Sequence, residues 1–230
     1  MTDMVVIIPA AGIGKRMKSH GPKANIQIDE KNTIVSRTVS ILRKVFGKIE
    51  ITIVLGFQKE KIKLPNDLNE IFNEHFESTN VSKSINIGIK NSKGKDCLIV
   101  YGDIVFNKSI FNNFNFDCSC IWVEKSEKRS SEVGVNIVDG NAEHFSYGVF
   151  PKWAQIVFLK EKDKNLFLSL SNNIKTEKWF GFEIMNKMID AGTKFSVKTI
   201  DEIVEIDTYL DIKKAKKFVR KNENISQKIK

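Results

Sequence analysis

An apolar run that leads directly into a glycine-containing loop opens the chain. Residues 5–10, VVIIPA, are apolar throughout and rich in β-branched side chains, which predicts a strand buried on both faces. Gly12 and Gly14 follow this run, and the loop closes near Pro22 and Lys23. Because a strand buried on both faces needs helices packed against both sides of its sheet, this beginning predicts an α/β fold.

The first half of the chain alternates between strand and helix patterns. Apolar residues recur at helical spacing over 33–46, which predicts a helix. Further strands are predicted at 48–57, 69–76 and 96–103, and a helix at 84–90. The alternation predicts a three-layer α/β fold with a mostly parallel, mixed central sheet and helices on both faces. We expect the functional crevice at the carboxyl ends of the strands.

The middle of the chain has a different pattern. Residues 117–200 are interpreted as a small mixed α/β subregion over the active site, and Asp139-Gly140 as a hairpin turn. No linker rich in Gly, Pro or Ser separates this subregion, so a single domain over 1–230 is expected. Strands are predicted at 118–125, 133–150 and 194–200, and helices at 154–170, 176–191 and 208–221.

The basic charge of the chain is concentrated at one end. The formal net charge is +9, from 37 basic and 28 acidic residues. Residues 213–230 hold eight Lys or Arg and one Glu, a net +7 that leaves +2 for the remainder. This tail could bind nucleic acid or a membrane surface. A solvated helix face is the favoured interpretation, so neither partner is expected.

Cysteine usage and hydropathy favour a cytoplasmic protein. Cys97, Cys118 and Cys120 cannot form a complete disulfide framework and are predicted to be reduced thiols. The apolar runs are shorter than a bilayer span, and the beginning of the chain lacks a signal-peptide pattern. A cytoplasmic location is therefore expected.

The opening loop is compared with three phosphate-binding patterns. In the P-loop pattern, Pro9 would replace the first glycine and Arg16 the hydroxyl ligand of Mg²⁺. In the dinucleotide fingerprint, Met17 would replace the third glycine, and the strand ending in VLGF offers no acid for a ribose. The third pattern, A-A-G-x-G-x-R-M followed by P-K, matches at every position: Ala10, Ala11, Gly12, Gly14, Arg16, Met17, Pro22 and Lys23.

This signature resembles that of the GT-A-like NTP transferase superfamily. Within that superfamily, the signature is similar to that of small nucleotidyltransferases of the sugar-1-phosphate and phosphocholine or phosphonate cytidylyltransferase group. These enzymes join an NTP to a phosphorylated acceptor. The resemblance implies that Ala10, Ala11, Gly12 and Gly14 bind the nucleotide. It also implies that Arg16 lies along the β- and γ-phosphates and that Lys23 reaches the α-phosphate, the two catalytic cations.

The resemblance further implies a Mg²⁺ site built from acids that are remote in sequence. Asp103 ends the predicted strand 96–103, where the family places its first metal aspartate. Glu205 and Asp207, two residues apart on an extended segment, are expected to point to one face as further ligands. For Asp103 the alternative is a turn cap, and for Asp207 a helix cap, with Asp211 in the first helical turn.

Base and acceptor recognition are assigned from the same resemblance. The stretch TNVSKSI resembles one in the phosphocholine type, so Asn80 and Ser84, with Thr79, are predicted to meet a pyrimidine edge, and CTP is the favoured NTP. Helix capping by Asn80 or Ser84 is the alternative. A UTP, dTTP or GTP sugar-1-phosphate transferase, a non-catalytic nucleotide binder and a nucleic-acid binder remain alternatives.

The resemblance also divides the predicted domain by role. About 1–116 and 200–222 would form the nucleotide-binding core, and about 117–200 would bind a phosphorylated or phosphonate small-molecule acceptor. Aromatic residues there could cage a quaternary ammonium group or only pack the core: Trp122, Tyr147, Phe150, Trp153, Trp179 and Phe180. The acceptor and the oligomeric state stay open, a homodimer being one alternative.

Overall fold

The structure is a computed structural model that describes residues 3–14, 17, 21–112, 114–125 and 132–228, with side chains to 222. Eleven strands and five α-helices are present in these ranges. In chain order they are β1 Met4–Ala10, α1 Ile34–Phe46, β2 Glu50–Leu55, β3 Asn69–Phe72, α2 Val81–Lys90, β4 Asp96–Val100, β5 Ile104–Val105, β6 Cys120–Glu124, β7 Val133–Val138, β8 Asn141–Tyr147, β9 Lys152–Leu159, α3 Glu161–Ser171, α4 Gly181–Asp190, β10 Phe195–Ile200, β11 Val204–Glu205 and α5 Tyr209–Lys228.

Nine of these strands form one mixed sheet in the order β3-β2-β1-β4-β9-β6-β10-β8-β7. The pairs β3–β2, β2–β1, β1–β4 and β6–β10 are parallel. Strands β9 and β8 pair antiparallel with their neighbours, so they alone run against the common direction. The predicted α/β fold with a mostly parallel, mixed sheet is confirmed.

Helices cover both faces of the sheet, as predicted. Along β1, Val6 and Ile8 pack in the cluster that contains the buried face of α1. Val5 and Ile7 pack on the opposite face, in the cluster that contains residues of α2, α3 and α4. Because consecutive strand residues point to opposite faces, the uninterrupted apolar run of β1 is what a strand between two helical layers requires.

One predicted helix is wrong. Residues 154–159, predicted as the beginning of a helix over 154–170, belong to β9, which pairs with β4 and β6, and the helix α3 begins only at Glu161. The segment 154–159 is buried almost throughout, and a short apolar run of this kind has no period that separates strand from helix. The helix predicted at 176–191 is also shorter in the structure, where the α-helix covers only Gly181–Asp190.

A two-stranded sheet of β5 and β11 joins distant parts of the chain. Val204 pairs with Val105 and Glu205 with Ile104, in antiparallel register. The backbone N–H of Ile206 also donates to the carbonyl of Asp103, at 2.9 Å. This sheet, which the sequence pattern does not predict, places the turn that follows β4 beside residues 205–207.

The remaining expectations concern the final helix, the thiols and membrane spans. Helix α5 buries Ile212, Ala215, Phe218 and Val219 and exposes lysines on its other side, as predicted. All three cysteines are free thiols: Cys97 and Cys120 are buried, and Cys118 is exposed. Within the described ranges, no helix combines the length and the apolar character that a membrane crossing needs.

Candidate active site

Two of the three glycines in the turns after β1 and β4 lie where a side chain would be crowded. Gly14 has φ of +61°, and a Cβ there would lie 3.3 Å from Cγ of Lys23, so glycine lets the lysine stem pass. Gly102 lies in the turn after β4. A Cβ added there would lie 2.9 Å from the Cβ of Ala10 and 2.9 Å from the carbonyl oxygen of Pro9. A Cβ on Gly12 would meet no atom within 4 Å, so packing alone does not require glycine at that position.

One cavity of about 580 Å³ lies at the carboxyl ends of β1 and β4. Ten of the eleven residues predicted to form the site line it: Ala10, Ala11, Gly12, Gly14, Lys23, Asn80, Ser84, Asp103, Glu205 and Asp207. The eleventh, Arg16, lies outside the described residues. Parts of the chain nearly 200 positions apart, from the opening loop to the segment after β11, therefore meet at one site.

Lys23 connects the two aspartates of this cavity. Its Nζ donates to Oδ2 of Asp103 and to Oδ1 of Asp207, at 2.9 Å each. The side chain of Lys23 is only 17% exposed, and each aspartate is 26% exposed. Burial lowers the pKa of Lys23, but the two carboxylates outweigh this effect and leave its pKa above the ordinary value. The lysine is therefore an ammonium ion held between two carboxylates.

The first turn of α5 fixes the segment that carries Asp207. Asp211 accepts from the backbone N–H of Thr208 at 2.8 Å and from its hydroxyl at 2.7 Å. It accepts a further bond from the N–H of Asp207 at 3.3 Å and pairs with Lys214 at 3.1 Å. A carboxylate in the first turn that reaches back to N–H groups before the helix is a capping arrangement, and here it orients a residue of the site.

Glu205 lies in the same cavity but has a different cation as its partner. Its Oε2 is 3.2 Å from Nζ of Lys152, which also donates to Glu132 at 3.0 Å. Burial and the nearby Asp103 raise the pKa of Glu205, although Lys152 acts in the opposite direction. Glu205 thus pairs with Lys152 and not with Lys23, and its role as a metal ligand stays a prediction.

Asp103 and Asp207 suit a magnesium ion. Mg²⁺ is bound through one or two carboxylates together with phosphate oxygens and water, and it does not need an all-protein cage. The described part of the chain contains no group of three or more His, Cys, Asp or Glu placed to hold a metal. Two carboxylates that already share one ammonium ion offer the hard oxygen donors that a divalent ion uses.

Small polar residues line another part of the cavity. Asn80 caps α2, because its side chain accepts from the N–H of Val81, as the alternative interpretation expected. It also lines the cavity. Ser84 is inside α2, where its Oγ accepts from Nδ2 of the buried Asn73 at 3.2 Å. The same Nδ2 group donates to Thr79 at 3.2 Å, so Asn73 links both hydroxyls.

A second cavity, of about 430 Å³, adjoins the first and shares six lining residues with it: Val81, Tyr101, Gln155, Phe180, Glu205 and Asp207. Tyr147 and Phe180 line it and are 52% and 44% exposed, so their rings are not core packing. Trp122, in contrast, is 1% exposed and donates to the carbonyl of Ile110, so its role is in the core.

Several lining residues were not singled out from the sequence. Gln155 has φ of +58° inside β9, beside a bulge in the β6–β9 pairing, and a β-bulge next to a cavity commonly re-aims a side chain. Tyr101 precedes Gly102 and Asp103, and its hydroxyl is buried without a partner among the described atoms. Asn73 directly follows β3, so the rule that sites lie at the carboxyl ends of strands could have found it.

A family model and a curated relative both match this chain. The family model of the MobA-like NTP transferase domain matches residues 6–164. The bifunctional protein GlmU of Campylobacter curvus (strain 525.92) is 22% identical over 262 residues, in a match that covers 98% of this chain and 59% of that protein. This chain therefore spans about three fifths of the length of that relative.

Solved structures share the fold at low identity. The CTP:phosphocholine cytidylyltransferase of Streptococcus pneumoniae has a TM-score of 0.76 and 17% identity, covering 94% of this chain and 99% of that one. A putative glucose-1-phosphate thymidylyltransferase of Bacillus anthracis has a TM-score of 0.78 and 12% identity, covering 94% and 95%. Because the family model matches well over half of the sequence, the chain belongs to the MobA-like NTP transferase family, and with it to the nucleotidyltransferases.

Proposed function

We propose that this chain transfers a nucleotidyl group, CMP from CTP, to a small acceptor that carries a phosphate or phosphonate, with Mg²⁺ and with release of pyrophosphate. The observation that carries the proposal is the ammonium of Lys23, 2.9 Å from both Asp103 and Asp207, in the cavity that the glycine loop lines. A lysine and two acids at the ends of strands supply both a cation for phosphate and a pair of ligands for a metal ion.

The reaction is an in-line displacement at the α-phosphorus. An oxygen of the acceptor phosphate forms the new bond, while the bond to the bridging oxygen breaks and pyrophosphate leaves with the electron pair. A phosphate whose second pKa is about 6 is largely ionised at neutral pH, so no strong general base is required. Lys23 neutralises charge that moves toward the leaving group, with Arg16 on the β- and γ-phosphates. Asp103 and Asp207 would hold a Mg²⁺, which would neutralise further negative charge during the transfer.

The choice of CTP rests on the polar segment around α2. Asn80 and Ser84, with Thr79, line the cavity and belong to the stretch that resembles the phosphocholine type. The hydroxyls of Thr79 and Ser84 are oriented by Asn73, so this edge of the cavity is preorganised. Small hydroxyl and amide groups of this kind can bind the donor and acceptor edge of a pyrimidine.

The acceptor is proposed to bind in the second cavity. Its carboxylates outnumber its lysines: Glu132, Glu205, Asp207 and Asp211 against Lys152 and Lys214. Tyr147 and Phe180 are exposed and line this cavity, and aromatic rings attract a cation over their faces. This chemistry favours an acceptor that combines a phosphate or phosphonate with an amine or quaternary ammonium group. The similarity in fold to a putative thymidylyltransferase keeps sugar-1-phosphates as the second candidate.

A pyrophosphate-release screen tests the proposal. CTP, UTP, dTTP, GTP and ATP are each combined with phosphocholine, 2-aminoethylphosphonate, glycerol-3-phosphate and several sugar-1-phosphates, with and without Mg²⁺. We expect release only with Mg²⁺, and the fastest release with CTP and an ammonium-bearing acceptor. If CTP binds but no pair reacts, the chain is a non-catalytic nucleotide binder. If only nucleic acid binds, and this binding survives Lys23→Ala, the basic tail is the functional surface.

A further inference from the structure

The carboxylates of the Lys23 cluster are partly compensated by a cation of the protein itself, since one ammonium faces two carboxylates. The ammonium lies 2.9 Å from one oxygen of Asp103 and 2.9 Å from one oxygen of Asp207. These distances are those of charge-assisted hydrogen bonds, and the lysine side chain is mostly shielded from water. The two carboxylates assigned to the metal are thus occupied by a cation of the protein itself.

We propose that Lys23 is the resident cation of this site until a nucleotide arrives, and that its ammonium and a divalent ion exclude each other there. This inference rests on the proposed function for the identity of the metal ligands. A divalent ion between the same two carboxylates would meet an ammonium at contact distance, and like charges at that distance repel strongly in a partly buried site. The triphosphate gives the ammonium a new anionic partner and so releases both carboxylates.

The loop geometry allows such an exchange. Lys23 lies in a short 3-10 turn, Lys23–Asn25, and its flexible stem passes Gly14, where the absence of a Cβ leaves room. The backbone of the glycine loop lines the same cavity, so phosphates held there would be near the ammonium. Metal and nucleotide should therefore bind with positive coupling, and the metal alone should bind weakly.

The test measures Mn²⁺ binding to the nucleotide-free protein, from the loss of the free-ion signal in electron paramagnetic resonance. Lys23→Met keeps the length of the side chain and removes its charge, and it should tighten Mn²⁺ binding by about 5–150-fold, the usual range of coupling between two sites. Lys160→Met is the matched control, since Lys160 pairs with Asp96 away from the cavity and its loss should leave Mn²⁺ affinity unchanged. Adding Asp103→Asn to Lys23→Met should abolish the gain.

A measurement on the wild-type protein does not depend on the folding of any variant. A mild acylating reagent, read by mass spectrometry, should label Lys23 faster at high Mg²⁺ because the ion displaces the ammonium, while labelling of Lys160 stays constant. Mn²⁺ affinity that is equal in Lys23→Met and wild type, or Lys23 labelling that ignores Mg²⁺, would overturn the inference. Neither readout needs turnover, so these results and those of the pyrophosphate screen can fail independently.

Discussion

Among the described residues, two lysines each join a pair of carboxylates, and the two clusters lie in different parts of the fold. Lys23 comes from a loop and joins Asp103 and Asp207, which follow strands β4 and β11. Lys152 begins the strand β9 and joins Glu132 and Glu205. The first lysine lines the cavity proposed to bind the nucleotide, whereas the second lines the adjoining cavity and a further cavity of about 450 Å³.

The difference shows how similar ion pairs can have different roles. A cation on a loop can exchange its partners when a ligand enters, whereas a cation in a strand of the central sheet is held by the ladder around it. The pKa of Lys152 is raised because Glu205 and Glu132 outweigh its burial, so it too is an ammonium ion. We expect Lys23 to matter for turnover and Lys152 chiefly for stability and for the shape of the acceptor cavity.

The largest expected effect is on turnover after a change in the Lys23 cluster. Lys23→Met and Asp103→Asn should each lower kcat by about 10²–10³-fold, because a positioned charge at the reacting phosphates is lost. Steady-state pyrophosphate release measures this effect. The control Lys160→Met should stay within about twofold of wild type. If kcat falls only a few-fold in Lys23→Met, this lysine has no catalytic role.

Lys152→Met should have the opposite balance. Removing the cation leaves Glu132 and Glu205 uncompensated, and the free energy of unfolding should fall by about 2 kcal/mol, less than for a fully buried pair. The ratio kcat/KM for the acceptor should fall only about tenfold, mainly because KM rises. Chemical denaturation and initial rates measure the two effects. If stability is unchanged and kcat falls as far as in Lys23→Met, the two clusters do not differ as described.

Asp211→Asn sharpens the comparison on the Lys23 side, because Asp211 holds the turn that carries Asp207. Burial raises the pKa of Asp211, but bonds from Thr208 and Lys214 outweigh it, and the pKa lies below the ordinary 3.8. The stability that Asp211 supplies is thus present above 3.8 and is lost as the pH falls through its lower folded-state pKa. The variant should lose about 1 kcal/mol at neutral pH. Denaturation at several pH values should show the difference in unfolding free energy between wild type and variant becoming smaller in acid. A difference that does not change with pH would contradict this role of Asp211.

The smallest effect is expected on the basic face of α5. Lys216 and Arg220 are exposed, and neither lines the nucleotide or the acceptor cavity. Lys216→Gln with Arg220→Gln should leave kcat and KM within about twofold of wild type at low and at high salt. If the double variant loses much activity, and high salt causes a similar loss in the wild type, this face takes part in substrate binding.

The residues predicted to form the site lie in one cavity because they sit at predictable points of the fold. Gly12, Gly14 and Asp103 follow strands β1 and β4, whose apolar runs are easy to identify, and the carboxyl ends of parallel strands share one edge. Glu205 and Asp207 were selected because the resemblance implies metal acids just before the last helix, and their spacing puts both on one face. All five lie in one cavity.

The remaining features depend on contacts between distant segments. Strand β9 was predicted as a helix because a short, continuously apolar run has no diagnostic period. Strands β5 and β11 have two residues each, too few for a pattern. Lys152 and Glu132 are 20 positions apart in the sequence and meet only because of the way the strands pair. The conformation of Gln155 follows from the bulge and not from its residue type.

The most direct measurement follows the α-phosphate itself. CTP labelled at the α-phosphorus is mixed with an excess of the protein, Mg²⁺ and the best acceptor of the screen, and products are separated over a single turnover. We expect the label to enter a compound containing the acceptor as pyrophosphate is released, and Lys23→Met and Asp207→Asn to slow both about 10²–10³-fold. Label that stays in CTP, or that is released as free CMP, would contradict it.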